Sequence, residues 1–156
     1  MEIRLATPED LHVLVSVQRE TQDLHVAYDP TCYRRSTDGE LTAAMGEFLA
    51  TDQTVVWIAW VDDVPAGFLV FKISAAAQTA YCHARSDGLI DQLAVAERFR
   101  RQGVGRALMD QAERYAIERG CNELRLGVIT SNSAARDFYA AIDFEPVLER
   151  WRKRLV

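Results

Sequence analysis

The sequence predicts an α/β fold, a mixed sheet flanked by helices, and three observations carry that prediction. Two runs rich in β-branched and aromatic residues, "TVVWIAWVDD" and "AGFLVFKIS", follow one another and read as a pair of strands. Apolar residues recur at helical spacing in stretches on either side of them. A third strand-like run, "GLIDQLAV", passes through a glycine-bearing turn straight into a helical pattern, an order that α/β proteins repeat.

Taken in order, residues 2 to 6 form a short first strand. "TPED" supplies Thr7 as an N-cap, Pro8 at the first helical position and Asp10 three residues past the cap. Leu11, Leu14, Val15 and Gln18 continue that helix. "QDLHVAYDPTCYRRS" has turn residues and scattered aromatics without a period. A second helix starts near Thr37 or Asp38, since Leu41, Ala44, Met45, Phe48 and Leu49 share a face. The two strands that follow are joined by Asp62, Asp63, Val64 and Pro65 as a hairpin, and "AAAQTAYCHARSD" is a connection. After "GLIDQLAV" a helix runs from about Gly103 to Arg119, ended by Gly120. "ELRLGVIT" is a strand, "SNSAARDFYAAI" a shorter helix with Asn132 or Ser133 at its cap, and "FEPVLERWRKRLV" one or two closing strands.

A chain of 156 residues is most simply one domain, spanning 1–156, and is long enough to bury a core. With 49% hydrophobic and 26% charged residues it has the composition of a globular protein. No apolar run approaches the roughly 20 residues of a membrane span, and the N-terminus lacks a signal-peptide pattern. A cytoplasmic location, with no membrane partner, is the expectation. The net charge of −5 disfavours a nucleic-acid partner, because phosphate contacts need a basic face. Cys32, Cys82 and Cys121 are odd in number and scattered, so neither a disulfide framework nor a metal site is expected.

Against that acidic background "LAVAERFRRQGVGRAL" gathers Arg98, Arg100, Arg101 and Arg106 around Gly103 and Gly105. The bland reading is a solvated turn. The sharper one is an anion seat, because the first amides of a helix lack partners, the helix dipole is positive there, and glycine admits close approach. A triphosphate loop needs GxxxxGK followed by Ser or Thr, which is absent. A dinucleotide loop needs GxGxxG, and Leu108 stands where its last glycine belongs.

What fits is RxxGxG, Arg100 through Gly105, and here the chain resembles the GCN5-related N-acetyltransferase (GNAT) family. "IRLATPEDL" resembles that family's opening strand and helix, "AGFLVF" its third strand and "IDQLAV" its fourth. "NSAARDFYAAIDF" is similar to its later asparagine-and-helix motif with a Phe-Tyr pair. The family usually has Gly-Phe where this chain has Asp143-Phe144, a position at which a left-handed residue costs Asp about 1 kcal/mol.

The resemblance implies a mostly antiparallel mixed sheet with splayed fourth and fifth strands, the acyl-CoA N-acyltransferase fold. It implies acetyl-CoA as co-substrate and no metal. The backbone of Leu93, Ala94 and Val95 would pair with the pantetheine arm. The loop of Arg100, Arg101, Gln102, Gly103, Val104, Gly105 and Arg106 would take the pyrophosphate. Asn132, equally a helix cap, would reach the cofactor from the other side. A backbone N–H near Val95 would stabilise the oxyanion. Tyr139, equally a core aromatic, would contact the cofactor and give a proton to the departing sulfur. Asp91 stands where many relatives carry a glutamate and is the candidate base, with a strand hydrogen-bonding role as its alternative; His25 and His83 are outsiders. Tyr28, Tyr33, Tyr81 and His83 would line the acceptor pocket. The activity implied is acetyl transfer to a primary amine of a small molecule or peptide, by direct attack in a ternary complex. A non-catalytic acyl-CoA-binding module on the same fold is the rival. The terminal "ERWRKRL" reads as an edge strand buried in a homodimer through Trp151, or as a solvated edge guarded by charge.

Overall fold

The structure, a computed structural model, describes residues 1–155. A single sheet runs in the order β1 (Glu2–Leu5), β2 (Thr54–Val61), β3 (Val64–Ala76), β4 (Arg85–Val95), β5 (Glu123–Leu126). The first four strands are antiparallel and β4 and β5 are parallel. Helices α1 (Leu11–Tyr28) and α2 (Asp38–Ala50) precede β2; α3 (Val104–Glu118) crosses from β4 to β5, and α4 (Ser133–Ala140) follows.

The sheet separates two cores. On one face Val13, Leu14 and Val17 of α1 and Met45 of α2 pack on Val56, Ile58, Phe68, Val70 and Ala94. On the other, Val104, Leu108, Met109, Ala112 and Ala116 of α3 pack on Trp57, Ala59, Leu69, Phe71 and Ile90. Tyr115 completes this core edge-on to Trp57 and Phe71, with centroids 5.2 and 5.4 Å away. Strict alternation of Trp57/Ile58 and Phe68/Leu69 between the two faces is the period-two pattern of a sheet covered on both sides.

Thr7 and Pro8 open a single 3-10 turn, Pro8–Asp10, that leads into α1 at Leu11, while α2 and α3 start and end close to where the sequence places them. Thr37 Oγ1 accepts from the Glu40 N–H at 3.2 Å while Glu40 Oε2 accepts from the Thr37 N–H at 2.8 Å, a complete capping box. Gly120, at φ +71°, ends α3: Cys121 N donates to Ala116 O and Gly120 N to Ile117 O.

Other boundaries differ from the sequence reading. Residues 22–28, read as irregular, continue α1, because Arg19 anchors the helix to the Ser36 carbonyl and to Asp38 from outside the segment. The hairpin turn is only Asp62-Asp63, at φ +49° and +60°; Val64 and Pro65 belong to β3. Pro65 is tolerated in that inner strand because Trp60 pairs with Pro65 while Ala59 pairs with Gly67, a bulge that leaves Ala66 unpaired. β3 and β4 extend each other, with Ile73 to Ala76 laddered on Gly88 to Arg85, so the connection shrinks to residues 77–84. β5 stops at Leu126 instead of reaching residue 130.

The closing strands are also corrected. Residues 145–155 form no strand among the described residues. Their apolar side chains, Val147, Leu148, Trp151 and Leu155, do not alternate, and all are more than 70% exposed. No single face of this segment could therefore lie on a core. Its basic residues instead reach the end of α1, where Arg152 pairs with Asp29 at 3.0 Å and Arg154 donates to Thr31 Oγ1 at 2.8 Å.

Candidate active site

The centre of the site is a fork between β4 and β5. The two strands pair from Asp87↔Glu123 to Ile90↔Leu126, and there the ladder ends, although β4 continues to Val95 against β3. A bulge explains the parting. Val70 faces Gln92 and Phe71 faces Ile90, so Asp91 is an extra residue without a partner in β3. Such a residue bends its strand and increases the local twist. From Asp91 to Val95, β4 has a strand on one side only.

The bulge also shifts the phase of the strand. Ile90, Leu93 and Val95 pack toward α3, while Ala94 packs toward α1. Asp91 points to the α2 side, where its Oδ1 lies 3.2 Å from Lys72 Nζ; that ammonium in turn sits 4.9 Å from the Phe48 ring. Lys72 is a neighbour of the candidate base Asp91 that the sequence reading missed. Only the β3–β4 register with its bulge brings it to Asp91.

At its end β4 enters the arginine-glycine loop. Arg101 and Gly103 both have positive φ, +64° and +84°, and Gly103 caps α3. Ala107 N is the first amide to bond back, to Gly103 O, which leaves the N–H groups of Val104, Gly105 and Arg106 without helical acceptors. Beside Gly103 there is open space, with no atom within 4 Å of where a Cβ would stand. A Cβ at Gly105 would meet the Phe138 ring at 3.3 Å, so its absence lets α4 pack against α3.

The four arginines do not act alike. Arg98 covers the Phe99 ring, Arg106 pairs with Asp110, and Arg100 donates from Nε to Val95 O at 3.2 Å and faces Glu20 at 4.0 Å. Arg101 has no ion pair among the described residues. Gln102 Nε2 donates to Arg98 O at 2.7 Å and tightens the loop. A free strand edge, three unpartnered helical amides, open space at Gly103 and an uncommitted cation together fit a ligand with amides at one end and phosphates at the other.

Asn132 caps α4, its Oδ1 accepting from Ala135 N at 3.0 Å, which leaves its Nδ2 as a donor. Tyr139 lies between Phe138 and Phe144, with ring centroids 5.1 and 5.7 Å away, and burial pushes its phenol up to about 12. Phe144 N donates to Tyr139 O and Asp143 N to Ala140 O, with Asp143 at φ +66°, so the helix ends in a Schellman motif. Asp therefore does occupy the left-handed position.

Of the acceptor-side residues, Tyr28 and Tyr33 come together with His25, whose ring is 5.0 Å from that of Tyr33 and whose pKa burial pushes below its ordinary value. Ser131 Oγ, in the segment after β5, meets Tyr28 O at 3.5 Å, which brings the end of α1 beside the far arm of the fork. Tyr81 and His83 lie exposed in the 77–84 connection, and among the described residues no hydrogen bond or ring pair joins them to this group. The cysteines are free. Among the described residues no cluster of His, Cys, Asp and Glu could hold a metal, and no helix is long and apolar enough to cross a membrane.

A family profile described as "Acetyltransferase (GNAT) family" matches residues 18–144, which takes in the fork, the loop and α4. The chain belongs to the GNAT acetyltransferase family. It is an acyl-CoA-dependent acetyltransferase on a mixed five-stranded sheet. An "uncharacterized N-acetyltransferase" of Archaeoglobus fulgidus is 31% identical over 143 residues, 92% of each chain. Among solved structures, a tetramutant of the BH1408 protein from Bacillus halodurans has a TM-score of 0.90 at 18% identity, covering 99% of this chain and 100% of that one. The aminoglycoside N-acetyltransferase AAC(6')-Iy in complex with CoA has a TM-score of 0.71 at 21% identity, covering 98% and 99%.

Proposed function

We propose that this acetyltransferase uses acetyl-CoA to acetylate a primary amine of a small molecule or peptide, by direct attack within a ternary complex. The observation that carries the reading is the free edge of β4 from Asp91 to Val95, running directly into the open amides of α3. Bound there, acetyl-CoA supplies a thioester whose sulfur leaves as a thiol. The backbone of Leu93, Ala94 and Val95 pairs with the amides of the pantetheine arm. The amides from Gly103 to Arg106, with Arg101 beside them, take the pyrophosphate, while Arg100 ties the loop back to β4. A free N–H of β4 near Val95 stabilises the negative charge that develops on the carbonyl oxygen.

Asn132 Nδ2 donates toward the cofactor from α4. Tyr139, protonated before attack, gives its phenol proton to the sulfur as the C–S bond breaks, and the proton lost by the attacking nitrogen restores it through solvent. An alkyl amine arrives protonated at neutral pH, so a base must receive a proton before attack. Asp91, the first residue past the last β4–β5 pair, is that base; Lys72 holds one carboxylate oxygen and leaves the other free to work through water. The small-molecule side of this reading is supported by AAC(6')-Iy, described in complex with a bisubstrate analogue, CoA-S-monomethyl-acetylneamine.

Thermal unfolding with and without acetyl-CoA, with NADH and ATP as controls, tests the reading. Ligand at 100 times its dissociation constant stabilises by about 2.7 kcal/mol, a rise of roughly 5 to 10 °C for a chain of this size. The expected result is a shift with acetyl-CoA alone, followed by release of free thiol with one class in a panel of amines. No shift at saturating acetyl-CoA would remove the free edge as its seat.

A further inference from the structure

The fork has a closed end as well as an open one, and the closed end is built from charge. Asp87 opens the β4–β5 ladder and is only 3% exposed, the most buried carboxylate among the described residues. Its Oδ2 lies 3.0 Å from Arg125 Nε on β5 and 3.0 Å from Arg85 Nε on its own strand. Arg125 Nε is not in line for a hydrogen bond, so the contact with β5 is an ion pair. Oδ1 of Asp87 is buried without a partner, so all of that carboxylate's interactions go to the two guanidinium groups. Arg125 reaches further, donating from its other arm to Glu123 Oε2 at 2.8 Å. Around this group Asn122 N donates to Ser86 O at 2.7 Å, and Gly88 leaves the space that Leu124 and the Phe71 ring fill.

A buried carboxylate is costly and a plain strand pair does not need one. What distinguishes this pair is its place. β5 is four residues long and its only strand neighbour among the described residues is β4, so the angle at which it leaves β4 is fixed within that short ladder. The ladder is about 10 Å long, and the free edge beyond it, Asp91 to Val95, about 13 Å. A small rotation of β5 at Asp87 is therefore magnified along the opening.

Building on the proposed seat for acetyl-CoA, we propose that the Asp87–Arg125 pair is a positioning clamp, which sets the width of the opening and so the affinity for the pantetheine arm. Arg85 touches the same carboxylate but lies on β4, so it compensates charge without tying the strands together. That difference makes the idea testable with paired variants in the full-length chain. Arg125→Gln is expected to raise KM for acetyl-CoA about tenfold while kcat at saturation and KM for the amine change little, the signature of lost ground-state binding. Arg85→Gln should stay near wild type in all three. Arg125→Lys keeps the charge and loses the second arm, so it should fall between; it also keeps the test open if Arg125→Gln folds poorly.

Calorimetric titration of wild type with acetyl-CoA separates the layers. If wild type binds and Arg125→Gln lowers only the melting temperature, with KM unchanged, the clamp idea is overturned and the cofactor seat survives. Equal losses in Arg85→Gln and Arg125→Gln would also overturn it, because charge compensation alone would then matter. If wild type does not bind, the seat and the clamp fall together.

Discussion

Tyr139 holds its proton far above neutral pH because Phe138 and Phe144 enclose it, and burial raises its phenol from 10 to about 12. A group with that value is protonated from pH 6 to pH 10, so in the proposed mechanism it can serve as a donor but not as a base. Tyr139→Phe is expected to lower kcat by about a hundredfold, the scale of a lost proton donor. The dissociation constant for acetyl-CoA should hold, and the loss should be the same from pH 6 to pH 10. An alkaline limb present in wild type and absent in the variant would show that the phenol titrates within the working range, contrary to its surroundings. Asp143, four residues on, accepts a left-handed conformation costing about 1 kcal/mol. It thereby lets Phe144 turn back onto Tyr139, so the strain holds the phenol's neighbour in place.

Elements differ in how much of themselves the chain spells out locally. The start of α4 and the end of α3 were legible because a cap is a matter of a few adjacent residues, Asn132 with Ala135 and Gly120 at positive φ, and the start of α2 because its apolar residues share a face. The bulge at Asp91, its pairing with Lys72 and the lengthening of β3 to Ala76 were not, since each depends on a register between distant segments. Nor was the packing use of Gly105, as the ring that needs its space belongs to α4.

The cap of α2 also has a pH signature. Arg34, then the Thr37 N–H and hydroxyl, hold the Glu40 carboxyl down to about 2 from an ordinary 4.5. A depressed carboxyl stabilises the folded state above its unfolded value and ceases to do so as pH falls through the folded one. The melting temperature of wild type should therefore fall between pH 4.5 and pH 2 more steeply than that of Glu40→Gln, which keeps the capping hydrogen bond without the titration. Parallel slopes for the two proteins would show that this box does not govern the acid response.

At the scale of the whole molecule, two cores on opposite faces of one sheet leave the chain after Phe144 with little to do in folding. Val147, Leu148, Trp151 and Leu155 bury almost nothing, and the ties of that segment are polar contacts to Asp29 and Thr31. A chain stopped after Pro146 should melt within about 3 °C of the full one, the worth of roughly 1 kcal/mol at this size. A fall of about 10 °C or more, with a melting temperature that depends on protein concentration, would show that those side chains are covered in an assembly.

The fork in the sheet bears on self-association as well as on catalysis. Unpaired strand edges recruit other chains, and proteins guard the outer ones by keeping them short or charged. Both outer edges here follow that practice: β1 and β5 are four residues each, and carry Glu2, Arg4, Glu123 and Arg125. The free stretch of β4 lies inside the sheet, between β3 and the diverging chain after Leu126. There it is hidden from another protein's sheet, and under the proposed seating of acetyl-CoA the backbone groups most prone to aggregation are the ones that recognise the ligand.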